Sequence, residues 1–405
     1  MFKEVFLILG YEYFRNTLTH PQRIMLLGVL SMFLPFYMCA SVLTLLFIRI
    51  LWKHEVKELY IETTNAWYLI AFSILSAIVS LFYKNYLGAL ISAGFIIFIT
   101  LMLYYRKHLT KPFFETLTNL ILYMSAFAAI YGLIEYVSIL SKFDLNRIEI
   151  IVFNTPENRI NSVFFNANYY AMMIEFFVGI AFYKMLNIFQ NKIGTDELKK
   201  LFTIGIITSL NLFCLYISGC RTAWPAILIS GAIMLLLSHH RKLFISIAGI
   251  GGAGIVYLTF NPQKIPRVNN IIAYLGVRMK IWKAAINCIK DHPLFGEGPL
   301  TYFHIYKQYH GHPTQHAHNI YIDPILSYGI IGLGLLVPYI YDVLKNIIRL
   351  YKKHLDDNLV ALIFGCLAMI FIHGFLDLTI FFVQTGFLFL IIISSFGIYD
   401  NELKA

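Results

Sequence analysis

The chain has 405 residues, of which 59% are hydrophobic and only 13% are charged, about half the charged fraction of an average soluble domain. This composition excludes a single water-soluble globular domain, because so much apolar surface has to face lipid. The net charge of +10 does not indicate nucleic-acid binding, since the basic residues lie in short loops between apolar segments, where they set membrane topology. The five cysteines show no paired or metal-type spacing, so we interpret them as small packing residues.

Apolar segments recur along the chain at lengths near the about 20 residues that cross a membrane. They predict an all-α integral membrane protein, a single polytopic domain over residues 1–405 with about twelve transmembrane helices. The predicted spans are 24–36, 37–52, 67–83, 86–105, 114–140, 164–187, 201–219, 222–238, 243–260, 318–342, 359–375 and 380–398. The first two share one apolar run, which we divide at Pro35. A single tilted helix with the N-terminus outside is the alternative.

Basic loops predict the orientation of the chain. Alternate loops are rich in lysine and arginine, which the positive-inside rule assigns to the cytoplasm. They contain Lys53 and Lys57, Arg106, Lys107 and Lys111, Lys192, Lys199 and Lys200, Arg241 and Lys242, and Lys345, Arg349, Lys352 and Lys353. The N-terminal tail, with Lys3, Arg15 and Arg23, joins this face only if the chain crosses an even number of times between residues 24 and 52. We therefore expect both termini in the cytoplasm.

One loop, residues 261–317 between spans 9 and 10, is much longer than the others and is predicted on the outer face. Residues 272–290 within it predict an amphipathic helix. Arg278 lies on its apolar side and would need an anionic partner there; a snorkelling arginine is the alternative. Arg221 lies between two spans at the same face, either lining a cavity or only setting topology.

Four histidines precede the tenth span in HGHPTQHAHN: His310, His312, His316 and His318. Imidazoles suit zinc, but this spacing fits no standard zinc pattern and only Asp323 offers a nearby carboxylate, so we expect no metal. A histidine is also suited to be a general base near neutral pH. The plain alternative is a polar loop.

Two arginines and a histidine at one membrane face suit a particular reaction. Guanidinium groups bind phosphates bidentately. A diphosphate whose charge is neutralised is a good leaving group, and a neutral histidine can take the proton of an attacking hydroxyl. Together they predict glycosyl transfer from a lipid diphosphate to an acceptor hydroxyl, with no metal or cofactor required.

The second half of the chain, about residues 155–345, resembles the O-antigen ligase and O-antigen polymerase superfamily of bacterial membrane glycosyltransferases. The motifs that carry the resemblance are RINSVFFNANYYAMM (159–173), SGCRTAW (218–224), RMKIWKAAINCIKDHPLFGEGP (278–299) and HAHNIYIDPILSYGIIGLGLL (316–336). It implies twelve spans in the bacterial cytoplasmic membrane, a large extracytoplasmic loop before the tenth, and a metal-independent inverting mechanism at the extracytoplasmic face.

The resemblance also implies roles for individual residues. Arg221 and Arg278 would bind the undecaprenyl diphosphate of a lipid-linked glycan donor, and His318 would be the catalytic base. Three further residues would position a glycolipid or glycan acceptor: His316, Asn319 and Tyr321. We interpret Pro293, Gly296 and Gly298 as turn residues of the loop. Four ionisable residues in or beside spans are interpreted as buried structural groups: Glu135, Glu175, His373 and Asp377.

The expected function is thus an O-antigen ligase, which moves the glycan onto a different lipid-anchored acceptor. A polymerase, which adds it to another lipid-linked repeat, is the alternative within the superfamily. A lipid or glycan flippase is an alternative of another class, although the candidate charges gather at one face rather than at the midplane. A non-catalytic scaffold is the third possibility weighed.

Overall fold

A computed structural model of the chain describes residues 17–143, 150–190, 192–264 and 271–404. Lys3 and Arg15 of the basic tail, and residues 265–270 of the long loop, lie outside the described residues. The α-helices are α1 His20–Ser31, α2 Phe36–Trp52, α3 Val56–Glu62, α4 Ala66–Phe82, α5 Tyr86–His108, α6 Lys111–Ser141, α7 Ala167–Phe189, α8 Thr195–Ser218, α9 Ala223–Leu237, α10 Arg241–Phe260, α11 Ile271–Asp291, α12 Thr301–Ile305, α13 Asp323–Lys352, α14 Asp357–His373, α15 Val383–Ser394 and α16 Asp400–Lys404.

Each predicted span overlaps one of these helices, although several ends differ. Among the described residues, seven helical segments are long and apolar enough to cross a membrane, and α2 with α3, bent by 86°, could form an eighth. Three shorter apolar helices are α4, α9 and α14. The chain is therefore a multi-pass membrane protein, while the count of twelve crossings stays a prediction. The predicted break at Pro35 is confirmed, because this residue caps the start of α2 and separates it from α1; the two separate crossings stay a prediction.

The ends of several helices that precede or follow basic loops meet at one end of the bundle. Lys107, at the end of α5, contacts Glu58 and Glu62 of α3 at 2.9 and 2.8 Å. Lys111, at the start of α6, forms an ion pair with Asp356 in the turn before α14. We call this the basic end of the bundle.

The tenth predicted span begins later than expected, at Asp323, and α13 continues to Lys352. This helix is broken at Gly329, whose φ of 59° is unfavourable for other residues. The N–H groups of Ile330 and Ile331, which the break frees, donate to the carbonyls of Pro293 and Leu294 at 3.0 and 2.9 Å. The HPLFGEGP segment thus fills the break.

Two glycines allow the HPLFGEGP segment to pack closely against its neighbours. A Cβ on Gly296 would lie 2.5 Å from the backbone of Ser327, and one on Gly298 would lie 2.0 Å from the Ser80 hydroxyl. Both glycines also have positive φ angles, of 62° and 93°. Their interpretation as turn residues is confirmed.

The predicted amphipathic helix of the long loop is α11. Its buried residues Ile281, Ala284, Ala285 and Cys288 pack against Tyr302 of α12 and the start of α13. The three lysines of this helix are exposed, as predicted. Leu275 and Ile286, placed on the apolar side by the helical wheel, are each 42% exposed, so the buried stripe is narrower than predicted.

Candidate functional site

The segment 316–322 runs as irregular backbone before α13 and is held against the turn that follows α14. The N–H of Ile320 donates to the carbonyl of Gly374 at 2.8 Å, and the side-chain amide of Asn319 donates to that of Phe375 at 2.9 Å. The Asn319 amide oxygen accepts the N–H groups two and three residues later, both at 2.9 Å. This docking brings His318 beside the residues that follow Phe375.

His318 is paired with Asp377, with 2.8 Å between Nδ1 and Oδ1. Asp377 is 5% exposed, and its Oδ1 also accepts the N–H of Leu378 at 2.8 Å. Burial alone would raise the pKa of Asp377, but the hydrogen bond with His318 and the positive charge of Arg278 outweigh it and hold this pKa well below its usual range. Asp377 is buried, as expected of a structural group, and it also contacts the candidate base directly.

The pair determines which nitrogen of His318 can act as a base. An ionised carboxylate only accepts hydrogen bonds, so Nδ1 carries the proton and Nε2 of the neutral ring has the free lone pair. Nε2 lies 2.9 Å from the hydroxyl of Thr314, which donates to it. The Thr314 hydroxyl marks a position that a substrate hydroxyl could take. The backbone of His318 has a φ of 49°, a sparsely populated conformation of the kind that clusters at functional sites.

A second line of hydrogen bonds fixes the carboxylate from the other side. The Asn168 amide, in the first turn of α7, donates to Oδ2 of Asp377 at 2.5 Å. Arg159 Nη2 donates to the Asn168 oxygen at 2.9 Å, and its Nε donates to the carbonyl of Ser218, the last residue of α8, at 2.5 Å. Both residues lie in the motif RINSVFFNANYY, yet sequence reasoning assigned neither of them a role.

Arg278 and His316 complete the surroundings of the pair. Burial lowers the pKa of Arg278, and the negative charge of Asp377 raises it, so an anionic group lies within electrostatic reach of this arginine. His316 is 8% exposed and its ring centre lies 4.1 Å from that of His318. Burial, followed by the charge of His318, lowers the pKa of His316 to about 3, so it stays neutral at physiological pH.

Arg221 lies just before α9, where Gly219, with a φ of 67°, ends α8. Its guanidinium carbon is 5.6 Å from the ring centre of Tyr274 in α11. Tyr274 and Arg278 are four residues apart and therefore share a helix face. Both predicted arginines thus lie along the same side of α11.

Three other sets of side chains singled out from the sequence lie in or beside this region, and their contacts are to other parts of the protein. The Tyr321 hydroxyl donates to the carbonyl of Phe371 at 3.1 Å, and Asn319 uses both ends of its amide on backbone groups. Glu175 and His373 form a fully buried ion pair next to Cys220, as expected of structural groups. Acceptor binding by Asn319 and Tyr321 stays a prediction.

The carboxylate beside the histidines is not the one expected from the sequence. Asp323 instead accepts the N–H of Ala317 at 2.7 Å and supports the chain before His318. The candidate ligand atoms of His316, His318 and Asp377 lie within 4.8 Å of one another, a spacing that could hold a metal ion. The positive charge of Arg278, which acts on His316 and Asp377, opposes a cation there.

Residues 205–337 match the model of the O-antigen ligase family. This segment contains Arg221, Arg278 and His318 and three of the four motifs, so the resemblance is confirmed for this part of the chain. At the level of the family, the match supports a membrane enzyme that transfers glycans, of ligase or polymerase type. A comparison with curated proteins found no match.

Proposed function

We propose that the chain is a glycosyltransferase of the O-antigen ligase type. It transfers an oligosaccharide or polysaccharide from undecaprenyl diphosphate to a hydroxyl of a lipid-anchored glycan acceptor. The observation that carries the proposal is the His318–Asp377 pair, a base with its orienting carboxylate, within electrostatic reach of Arg278. Bases that are oriented in this way by a third group recur in enzymes that activate hydroxyl nucleophiles.

The reaction proceeds in one displacement. The acceptor oxygen attacks the anomeric carbon on the face opposite the diphosphate, and its proton passes to Nε2 of His318. The bond from the anomeric carbon to the diphosphate oxygen breaks, so the configuration inverts and undecaprenyl diphosphate leaves. Arg221 and Arg278 stabilise the charge of the leaving group, and Asp377 stabilises the imidazolium that forms.

The location of the His318 site within the bundle supports an orientation of the protein in the membrane. The His318 region lies at the ends of α8 and α14 opposite the basic end, where Lys107 and Lys111 are located. With the basic end in the cytoplasm, the site faces the extracytoplasmic side of the bacterial cytoplasmic membrane, and both termini are cytoplasmic. A lipid-linked donor reaches this site from the outer leaflet.

Reconstitution with a lipid-diphosphate oligosaccharide tests the proposal. We expect His318→Ala and Arg278→Ala each to abolish transfer while the protein still inserts into the membrane, and His312→Ala, a nearby loop histidine outside the pair, to retain it. Transfer that persists in purified His318→Ala protein would refute the role of this base. Movement of the lipid across the bilayer without any glycan transfer would favour a flippase.

The same assay separates a ligase from a polymerase, which share this chemistry. We prefer the ligase because HAHN and the surroundings of Arg221 and Arg278 are closest to ligases, in agreement with the description of the matched family. A product ladder from the donor alone would indicate a polymerase. Transfer that requires a second, glycolipid acceptor would indicate a ligase.

A further inference from the structure

A second cluster of ligating side chains lies far from the His318 site, at the basic end of the bundle. His239 follows α9, His354 lies in the turn between α13 and α14, and Asp357 is the first residue of α14. Asp357 Oδ2 is 3.1 Å from His239 Nε2 and 3.0 Å from His354 Nδ1. The three candidate ligand atoms all lie within 4.8 Å of one another.

This cluster is separate from the His318 site. Helix α9 has 15 residues and α14 has 17, which at 1.5 Å per residue gives lengths of about 22 and 25 Å. Arg221 and Asp377 lie beyond the opposite ends of the same two helices. The cluster therefore cannot take part in the proposed transfer by contact.

The Asp357 carboxylate can accept more hydrogen bonds than its protein partners donate. Two imidazoles both point at Oδ2 of Asp357, while the buried Oδ1 of the same carboxylate has no hydrogen-bond partner in the part of the chain that the structure describes. A buried acceptor oxygen without a partner indicates a missing donor or cation. Both histidines have left-handed backbones, with φ angles of 63° and 50°, which is uncommon for residues other than glycine.

We propose that His239, His354 and Asp357 bind a divalent transition metal of the zinc class. Two imidazole nitrogens and a carboxylate are a typical ligand set for zinc. Ligands at 2.0–2.1 Å in a tetrahedron lie about 3.3 Å apart, close to the nitrogen–oxygen distances found here. His354 and Asp357 also line a cavity of about 440 Å³, which leaves room for water to complete the coordination.

Lys111, a cationic side chain that lines this cavity, does not exclude a metal. Lys111 is paired with Asp356 and with the Tyr183 hydroxyl, so its charge is already compensated. At the His318 site, by contrast, the positive charge of Arg278 acts on the carboxylate of Asp377. The metal links the ends of α9, α13 and α14, helices whose other ends lead to Arg221, His318 and Asp377.

Metal titration of the purified, metal-stripped protein in detergent tests the site. We expect one equivalent of Zn²⁺ by calorimetry, and one equivalent of Co²⁺ with the visible absorption of a tetrahedral nitrogen–oxygen site. His239→Ala and His354→Ala should each weaken binding more than about tenfold, because they remove direct ligands. His240→Ala is the matched control, since its ring contacts Ser238 instead.

A second measurement covers variants whose folding is in doubt. Zn²⁺ should raise the thermal unfolding temperature of the wild type and of His240→Ala but not of His354→Ala, with monodispersity confirmed by gel filtration. Unchanged Zn²⁺ affinity in both His239→Ala and His354→Ala would overturn the proposal. Loss of binding in His318→Ala alone would place the metal at the other cluster and overturn it equally.

Discussion

Replacing Asp377 by asparagine changes charge without changing shape. The carboxylate accepts His318 Nδ1–H and the N–H of Leu378 on Oδ1, and the Asn168 amide on Oδ2. In Asp377→Asn one of these oxygens becomes an NH₂ group, which faces either the donor of Asn168 or the proton of His318. The variant therefore loses an acceptor and the negative charge next to the imidazole.

The expected loss of kcat follows from the step of the reaction at which the negative charge of Asp377 acts. His318 becomes positive only as the acceptor proton is transferred, so the interaction with Asp377 is stronger in the transition state than before it. A hydrogen bond to a charged group contributes about 1.5–3 kcal/mol, so kcat should fall about 10- to 150-fold. The KM for the lipid-linked donor should stay the same or fall, because the positive charge of Arg278 is no longer compensated by Asp377.

The assay is transfer at saturating acceptor over a range of donor concentrations, with wild-type and variant protein in the same lipid. Asp323→Asn is the matched control, because this buried aspartate accepts a backbone N–H that an asparagine oxygen can also accept. It should keep kcat within a few-fold of the wild type. A kcat for Asp377→Asn within about twofold of the wild type, at equal thermal stability, would refute the role of Asp377.

Arg221→Ala should lower kcat/KM for the donor about 10- to 150-fold. Arg278→Lys should restore only part of the transfer that Arg278→Ala abolishes, since an ammonium cannot bind bidentately; equal activity of the lysine and arginine forms would contradict the bidentate contact. Gly329→Ala should destabilise the protein by more than about 1–2 kcal/mol in thermal unfolding, because it places a side chain at positive φ and 2.4 Å from a carbonyl of the HPLFGEGP segment. Gly334→Ala, in open space on the same helix, should be tolerated. Because the pKa of His316 is lowered to about 3, the unfolded chain takes up a proton that the folded state does not, so stability is present above about pH 6.5 and falls below it. At pH 5.5 this loss amounts to about 1.4 kcal/mol of unfolding free energy. Between pH 7.5 and pH 5.5, the unfolding free energy of His316→Gln should therefore fall by about this much less than that of the wild type.

The helices were predictable because hydropathy alone reports them, whereas their ends depend on contacts that sequence patterns do not show. Residues 320–322 are largely apolar, like the span they precede, yet they stay outside α13 because Asn319 bonds to backbone groups of its own turn and to Phe375. The break at Gly329 was equally hidden, since its freed N–H groups are satisfied by the distant carbonyls of Pro293 and Leu294.

The site was predictable only where a residue is unusual by itself. An arginine on an apolar helix face and a histidine in a loop are visible in one dimension. Arg278 was singled out in this way, whereas the choice of His318 among the four histidines came from the resemblance to the family. Asp377 lies 59 residues from His318 in sequence, and Arg159 is linked to it through Asn168. Such polar residues at the ends of spans cannot be distinguished from structural groups until the helices are packed.

The membrane explains why the site is built from irregular backbone. Non-helical chain near the hydrocarbon region is tolerated only where its N–H and carbonyl groups find partners within the protein. The turn after α14 therefore pairs with the segment before α13, through Ile320 and Gly374, and the end of α8 pairs with Arg159. The contacts that satisfy these backbone groups are the ones that hold Asp377 against His318, so the stability of the helix ends and the geometry of the base have the same origin.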